Sequence, residues 1–164
     1  MRVMLDVDNG CPEHPGVPEE ADFQHWVEAT LSTLDIQDTR PLSLGIRIVP
    51  EDESAQLNLH YRHKDKPTNV LSFRPELPSA VLDALEETPL GDLAICAAVV
   101  QREAREQDKP EQAHWAHMTV HGLLHLLGHD HEEPQEAEAM EALERRILAT
   151  QNIADPYAGE QGQE

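Results

Sequence analysis

Several features of common protein classes are scarce in this sequence. Only two of its 164 residues are cysteines, too few for a disulfide framework, and a protein of the reducing cytoplasm needs none. No stretch approaches the roughly 20 apolar residues that a membrane-spanning helix requires. Residues 1–10 contain Asp6 and Asp8 and lack a long apolar core, so we expect no signal peptide. We therefore expect a cytoplasmic protein without a membrane partner.

Positive charge is scarce as well. Lysine and arginine total 12 against 32 aspartates and glutamates, which gives a formal net charge of −20. This balance excludes a generally basic nucleic-acid coat and a basic membrane-surface helix, but it allows a local basic patch on an acidic body. We expect no DNA partner. The length favours one domain, which we predict over residues 1–155, followed by a flexible polar tail at 156–164.

Apolar residues alternate in some segments and follow helical spacing in others, which predicts an α+β (mixed α/β) domain with a small sheet. Alternation predicts strands at residues 2–8, 41–49, 69–73 and 90–96. Helical spacing predicts helices at residues 19–34, 51–61, 97–107, 111–127 and 135–149. Residues 74–89 hold three prolines and four acids, so we expect a loop or a hairpin there.

Histidine is the residue that stands out, because six of the ten histidines lie in residues 113–131. His121 and His125 are four apart, which places both on one face of a helix. Gly128 then ends the helix, and His131 follows far enough along the chain to return to the same point. Three neutral histidines and a water form an open tetrahedral site of the catalytic zinc type. We predict one Zn²⁺ per chain on these three ligands.

His117 lies four residues before the first histidine of this pair, so these two residues form a rival ligand pair. His117 lies on the same helix but about 12 Å from His125 along its axis, so we expect packing or supporting roles for His114 and His117. We expect His129 to face away from the third ligand. Asp130 either orients a ligand imidazole or only forms the turn.

The spacing of the predicted ligands is also that of the metzincin zinc proteases, which carry a glutamate directly after the first histidine as general base. This sequence has Gly122 at that position, and glycine cannot transfer protons. We therefore expect the metal site without the protease base. A metal-dependent hydrolase of peptides or small molecules is kept as an alternative.

A second motif gathers positive charge in this acidic chain. Arg62, Lys64 and Lys66 lie within five residues, with only Asp65 opposing them. An arginine can hold a phosphate through two hydrogen bonds, and lysines add point charge. The same residues also suit a solvated helix C-terminus, where the helix dipole favours cations. Composition alone leaves both explanations open.

These two motifs resemble those of one family. Residues 121–131 resemble the HGxLHLxG(H/Y)DH signature of the YbeY endoribonucleases, and residues 61–73 resemble that family's YRxKDxPTxVLSF segment. Residues 90–96 are similar to its LGD(I/L)xI strand. The resemblance runs over most of residues 57–157, whereas the first third of the chain is unspecific.

The resemblance implies a bacterial endoribonuclease specific for single strands, which matures the 3′ end of small-subunit ribosomal RNA and acts in ribosome quality control. It implies zinc on His121, His125 and His131 and an important arginine at Arg62. It further implies a sheet of about four strands surrounded by helices, which we expect to number five to six, with a zincin-like metal helix.

For this function we expect Lys64 and Lys66 to contact the RNA backbone. The expected partners are ribosomal RNA within ribosomal particles and a small-subunit ribosomal protein or an assembly GTPase, since a chain of net charge −20 repels free RNA. A noncatalytic ribosome assembly factor stabilised by its metal is a further alternative.

Some other residues have ordinary structural explanations. We expect Trp26 and Trp115 in the core, although Trp115 could also stack an RNA base, and we expect Cys96 to be a packed thiol. Four acids of the last predicted helix are expected on its solvated face, namely Glu136, Glu138, Glu141 and Glu144.

Overall fold

The computed structural model describes residues 3–130 and 132–158, and this part of the chain forms four strands and six helices. The strands are β1 (Val3–Asn9), β2 (Leu42–Val49), β3 (Val70–Phe73) and β4 (Thr88–Cys96). The helices are α1 (Glu20–Thr33), α2 (Glu51–Arg62), α3 (Ser79–Ala84), α4 (Ala97–Glu106), α5 (Glu111–Leu126) and α6 (Pro134–Thr150).

The four strands form one mixed sheet in the order β1-β2-β4-β3. β1, β2 and β4 are parallel, and β3 lies antiparallel to β4 at the edge of the sheet. The predicted α+β fold with a sheet of about four strands is confirmed. No helix in residues 3–130 or 132–158 is both long and apolar enough to cross a membrane.

Helices pack on both faces of the sheet, but they cover the second face only in part, because only β3, β4 and the end of β2 carry buried apolar side chains there. Ile46 and Ile95 belong to the larger core, which also includes side chains of α1, α5 and α6. Leu71 and Cys96 belong to a smaller cluster on the other face, where Leu57 of α2 and Val99 of α4 pack against them. On this second face the alternate residues of β1 are exposed, so no helix covers that strand there.

Most expected core positions agree with the structure, and one expected loop does not. Trp26 and Trp115 lie in the larger core, and the fully buried Trp115 has no exposed surface on which a base could stack. Cys96 is a buried thiol, and burial raises its pKa. The expected loop at 74–89 is wrong in part, because α3 begins directly after Pro78 and β4 begins at Thr88.

Helix α5 lies very close to the sheet at Gly122. A Cβ atom there would lie 2.9 Å from Leu93 Cδ2 and 3.0 Å from Val70 Cγ2. The Ser72 hydroxyl of β3 donates a hydrogen bond of 2.8 Å to the Gly122 carbonyl. Edge strand β3 is thus fastened to the helix that carries the predicted metal ligands.

The pairing of β2 with β4 contains a bulge. The register moves from Ser43 opposite Pro89 to Leu44 opposite Gly91, so one residue of β4 is unpaired. Gly91 has a φ of +131°, and a Cβ atom there would lie 2.3 Å from the Phe73 carbonyl oxygen. Only glycine suits this position, because both the backbone angle and the neighbouring strand exclude a side chain.

We predict that Gly91→Ala lowers the free energy of unfolding by about 2 kcal/mol or more, measured by urea denaturation in chelator. Gly128→Ala is the matched control, since Gly128 also has a positive φ of +98° but a Cβ atom there meets nothing within 4 Å. The smaller loss expected for Gly128→Ala isolates the backbone strain. Equal losses would show that the contact with β3 contributes nothing.

Candidate metal centre and basic segment

The end of helix α5 turns the chain back as its glycine predicts. Gly128 lies in the left-handed region, and its N–H donates to the His125 carbonyl at 3.1 Å. The His129 N–H donates to the Leu124 carbonyl at 3.0 Å, which completes a Schellman motif. The chain therefore reverses directly after the predicted ligand pair. The third predicted ligand, His131, lies outside the described residues.

His121 and His125 are brought together on one face of α5, as their spacing predicts. Their ring centroids are 4.8 Å apart, and the rings are inclined at 73°. Both residues are partly exposed, in contrast to the buried His114 and His117 on earlier turns of the helix. This pair therefore combines a short separation with access from solvent.

A buried carboxylate of α6 lies directly behind His121. Glu144 Oε2 accepts hydrogen bonds from His117 Nε2 at 2.6 Å and from His121 Nδ1 at 3.2 Å. Its other oxygen, Oε1, accepts a hydrogen bond of 2.7 Å from the Tyr157 hydroxyl. The side chain of Glu144 is only 1% exposed. The carboxylate is thus surrounded by donors on both oxygens.

The expectation that Glu144 belongs to a solvated face of α6 is wrong. The buried residues of α6 are Met140, Glu144, Ile147 and Leu148, which repeat at spacings of three and four. Glu144 occupies a core position of this stripe because donors from α5 and the C-terminal segment satisfy its charge. A single acid in register with an apolar stripe was the sequence signal that could have identified it.

The hydrogen bonds decide the charge of this cluster. Burial would raise the pKa of Glu144, but the hydrogen bonds and charges of His117 and His121 outweigh it and lower the pKa to about 2. Burial lowers the pKa of His117, although Glu144 opposes that shift. At neutral pH the cluster therefore pairs an ionised carboxylate with a neutral His117, which donates through Nε2.

Three residues of this cluster could themselves hold a metal ion. His117, His121 and Glu144 each offer a ligand atom, and these atoms lie within 4.8 Å of one another. This set shares His121 with the predicted set, but it lies deeper, because Glu144 and His117 are both buried. The described residues therefore contain one buried group that could hold a metal ion, beside the partly exposed pair whose predicted third ligand lies outside them.

The basic segment is held in a fixed conformation by buried polar side chains of α2. Arg62 is the last residue of that helix, and His63 follows in the left-handed conformation. Asn58 Nδ2 donates to the Lys66 carbonyl at 2.8 Å. The Ser54 hydroxyl lies 3.0 Å from both the carbonyl and the N–H of Thr68. These bonds fasten to α2 the C-terminal end of the turn on which Lys64 and Lys66 are exposed.

Edge strand β3 joins the basic segment to the metal helix. Directly after this strand, Arg74 Nη2 donates to the His125 carbonyl at 3.2 Å. Arg74 is exposed and brings another cation beside α5, which the sequence pattern did not predict. Among the described residues, no hydrogen bond or ion pair joins Arg62 itself to His121 or His125.

The mixed sheet, with a histidine pair on a helix packed beneath its edge strand, defines an α+β protein with a candidate metal centre. Residues 14–152 match the family model described as endoribonuclease YbeY. An endoribonuclease YbeY of Alkalilimnicola ehrlichii is 58% identical over 153 residues, which cover 93% of this chain and 90% of that protein. The chain belongs to the YbeY family, and the predicted family is confirmed.

A solved structure supports the fold. The solution structure of TM1509 from Thermotoga maritima matches with a TM-score of 0.53 over 96% of this chain and 95% of that one. Sequence identity is 22%, so the likeness concerns the arrangement of strands and helices alone.

Proposed function

We propose that the chain is a zinc-dependent, single-strand-specific endoribonuclease that matures the 3′ end of small-subunit ribosomal RNA and acts in ribosome quality control. The match to endoribonuclease YbeY carries this proposal, because it spans both the basic segment and the histidine pair. In this proposal the metal centre activates the phosphate or a water, and the basic segment binds the phosphate and the RNA backbone.

The proposed ligands of one Zn²⁺ are His121, His125 and His131. The close pair of rings and their partial exposure support this set, since a catalytic zinc keeps one position open. When bound there, zinc would polarise a phosphate oxygen or lower the pKa of a water. Glu144 supports the same set, because its carboxylate accepts from His121 Nδ1 and leaves Nε2 as the ligand atom.

The buried ligand set of His117, His121 and Glu144 is less favourable because of where the proton of the His117 ring would lie. His117 Nδ1 is buried and has no hydrogen-bond partner among the described residues. If His117 bound a metal through Nε2, its proton would sit on Nδ1 as a buried donor without an acceptor, which is costly. With Nε2 donating to Glu144, Nδ1 is only an unused acceptor.

Arg62 is proposed to neutralise the charge that grows on the phosphate during cleavage. Its side chain is exposed and makes no hydrogen bond or ion pair within the described residues. A guanidinium that is not already engaged can form two hydrogen bonds to phosphate oxygens. Lys64 and Lys66, on the fastened turn beyond it, are proposed to contact the RNA backbone.

The negative net charge of the chain affects how it binds an RNA substrate. At −20 the chain repels free RNA at long range, so we propose that it acts on ribosomal RNA already held in ribosomal particles. Recruitment would then depend on a small-subunit ribosomal protein or an assembly GTPase. The corresponding compartment is the cytoplasm, and residues 1–155 form the proposed catalytic domain.

Arg62→Ala is predicted to slow cleavage of single-stranded RNA by about 10²–10³-fold while zinc content stays near one per chain. The measurement is single-turnover cleavage of an end-labelled RNA, beside a duplex of the same sequence that should resist cleavage. Arg105 is also exposed but lies on α4, so Arg105→Ala is the matched control and should cleave RNA as the wild type does.

Two outcomes would contradict this assignment. Equal cleavage by the wild type and Arg62→Ala after stringent purification would point to a contaminating nuclease. Loss of zinc together with activity in Arg62→Ala would mean that the arginine supports the metal centre rather than the phosphate. A casein assay with added zinc tests the peptidase alternative on the same samples.

A further inference from the structure

The segment that follows α6 returns to the candidate metal centre. Pro156 is buried, and the Tyr157 hydroxyl donates to Glu144 Oε1 at 2.7 Å. The same hydroxyl oxygen lies 3.2 Å from His117 Nε2. Residues 156 and 157, which the sequence placed in the tail, therefore pack against the domain and take part in the cluster behind His121.

Several contacts fix the position of Tyr157. Arg145 Nε donates to both carboxylate oxygens of Asp155, at 3.1 and 3.2 Å. Asp155 Oδ1 accepts the Tyr157 N–H at 2.8 Å, and the Arg145 guanidinium carbon lies 5.3 Å from the centroid of the Tyr157 ring. Lys109 Nζ donates to the Pro156 carbonyl. These contacts hold residues 155–157 in place and position the Tyr157 hydroxyl against Glu144.

The hydrogen bonds link this tyrosine to the orientation of His121. A carboxylate can rotate about its last carbon–carbon bond unless both oxygens are held. Tyr157 holds Oε1, while His117 and His121 share Oε2. A carboxylate fixed in this way keeps the proton of His121 on Nδ1, and the lone pair of Nε2 then lies on the opposite side of the ring.

We propose that Tyr157, acting through Glu144, is a positioning residue that fixes the tautomer and ring orientation of His121 for metal binding. This inference rests on the proposed zinc site, in which His121 is a ligand and Glu144 is not. It makes the C-terminal segment part of the metal centre.

The test is the zinc affinity of the full chain, measured by competition with a chromophoric chelator at neutral pH. Glu144→Gln should raise the dissociation constant by about 10–100-fold, as expected for partners of metal-bound histidines. Tyr157→Phe removes only the hydroxyl, and it should raise the constant by a smaller factor, about 3–10-fold, since Glu144 keeps its histidine donors. The matched controls are Glu138→Gln, exposed on the same helix, and Tyr61→Phe, the only other tyrosine.

A spectroscopic measurement separates positioning from ligation. In the Co²⁺-loaded protein, a positioning role predicts that Tyr157→Phe and Glu144→Gln keep the visible spectrum of the wild type, although more cobalt is needed to saturate it. A changed coordination spectrum in Glu144→Gln, with His125→Ala still binding tightly, would make Glu144 a ligand and overturn the inference. Urea denaturation of the metal-free variants checks that each is folded.

The failure of this inference can be distinguished from failure of the proposed function. If the wild type binds zinc, His121→Ala does not, and Tyr157→Phe binds as tightly as Tyr61→Phe, only the positioning role is refuted. If the wild type binds no zinc at all, both proposals are refuted together.

Discussion

His121→Ala is expected to lose zinc and RNA cleavage together. A bound metal contributes several kcal/mol of charge stabilisation, so its loss should reduce the cleavage rate by about 10³-fold or more. Elemental analysis of the purified protein gives the zinc content, and single-turnover cleavage gives the rate. A chelator added to the wild type should reproduce the loss, and zinc in slight excess should reverse it.

His129→Ala is the matched control for that experiment. It removes an imidazole from the turn after Gly128, close to the predicted third ligand, but we expect this ring to face away from the metal. Zinc content and cleavage should therefore match the wild type. Loss of zinc in His129→Ala would show that the turn presents a different histidine than the proposed ligand set requires.

The same variants separate the remaining functional alternatives. For a noncatalytic assembly factor, His121→Ala would lower the melting temperature, but the purified wild type would have no nuclease activity to lose. If His121→Ala and the wild type cleave RNA equally, the cleavage comes from another protein in the sample. Only parallel loss of zinc and cleavage, with His129→Ala unaffected, supports a catalytic metal on His121.

The parts of the centre that depend on local spacing could be predicted from the sequence. His121 and His125 share a face because helix geometry puts residues four apart together, and the turn at Gly128 follows from the left-handed conformation that glycine tolerates. The observed 4.8 Å between the two rings and the Schellman motif agree with that reasoning. No information about distant parts of the chain was needed.

The side chains that hold His121 and the end of α5 in place could not be predicted from local spacing. Glu144 is 23 residues from His121, and its contact depends on how α6 packs against α5. Charge alone favoured a solvated position for this residue, because the free energy of burying a carboxylate depends on donors that only the tertiary structure supplies. Tyr157 and Arg74 likewise reach the centre through packing rather than through spacing along the chain.

Gly122 occupies the position at which the zinc proteases carry their general base. Gly122→Glu, which restores the glutamate of the protease motif, is expected to unfold the protein rather than create a peptidase. A Cβ atom at this position already meets Leu93 and Val70 at 2.9 and 3.0 Å, so a longer side chain would enter the helix–sheet interface. Overpacking and an unpaired buried carboxylate together should cost about 4 kcal/mol or more.

Gly122→Ala separates these two causes, because it adds only the Cβ atom and should cost about 1–3 kcal/mol. Urea denaturation followed by circular dichroism measures both losses, and the casein assay with zinc measures peptidase activity. A folded Gly122→Glu that hydrolyses casein would contradict the prediction and restore the peptidase alternative. We expect instead that the packing of α5 against β3 and β4 leaves no room for a protease base at this site. The same packing fixes the position of the adjacent His121.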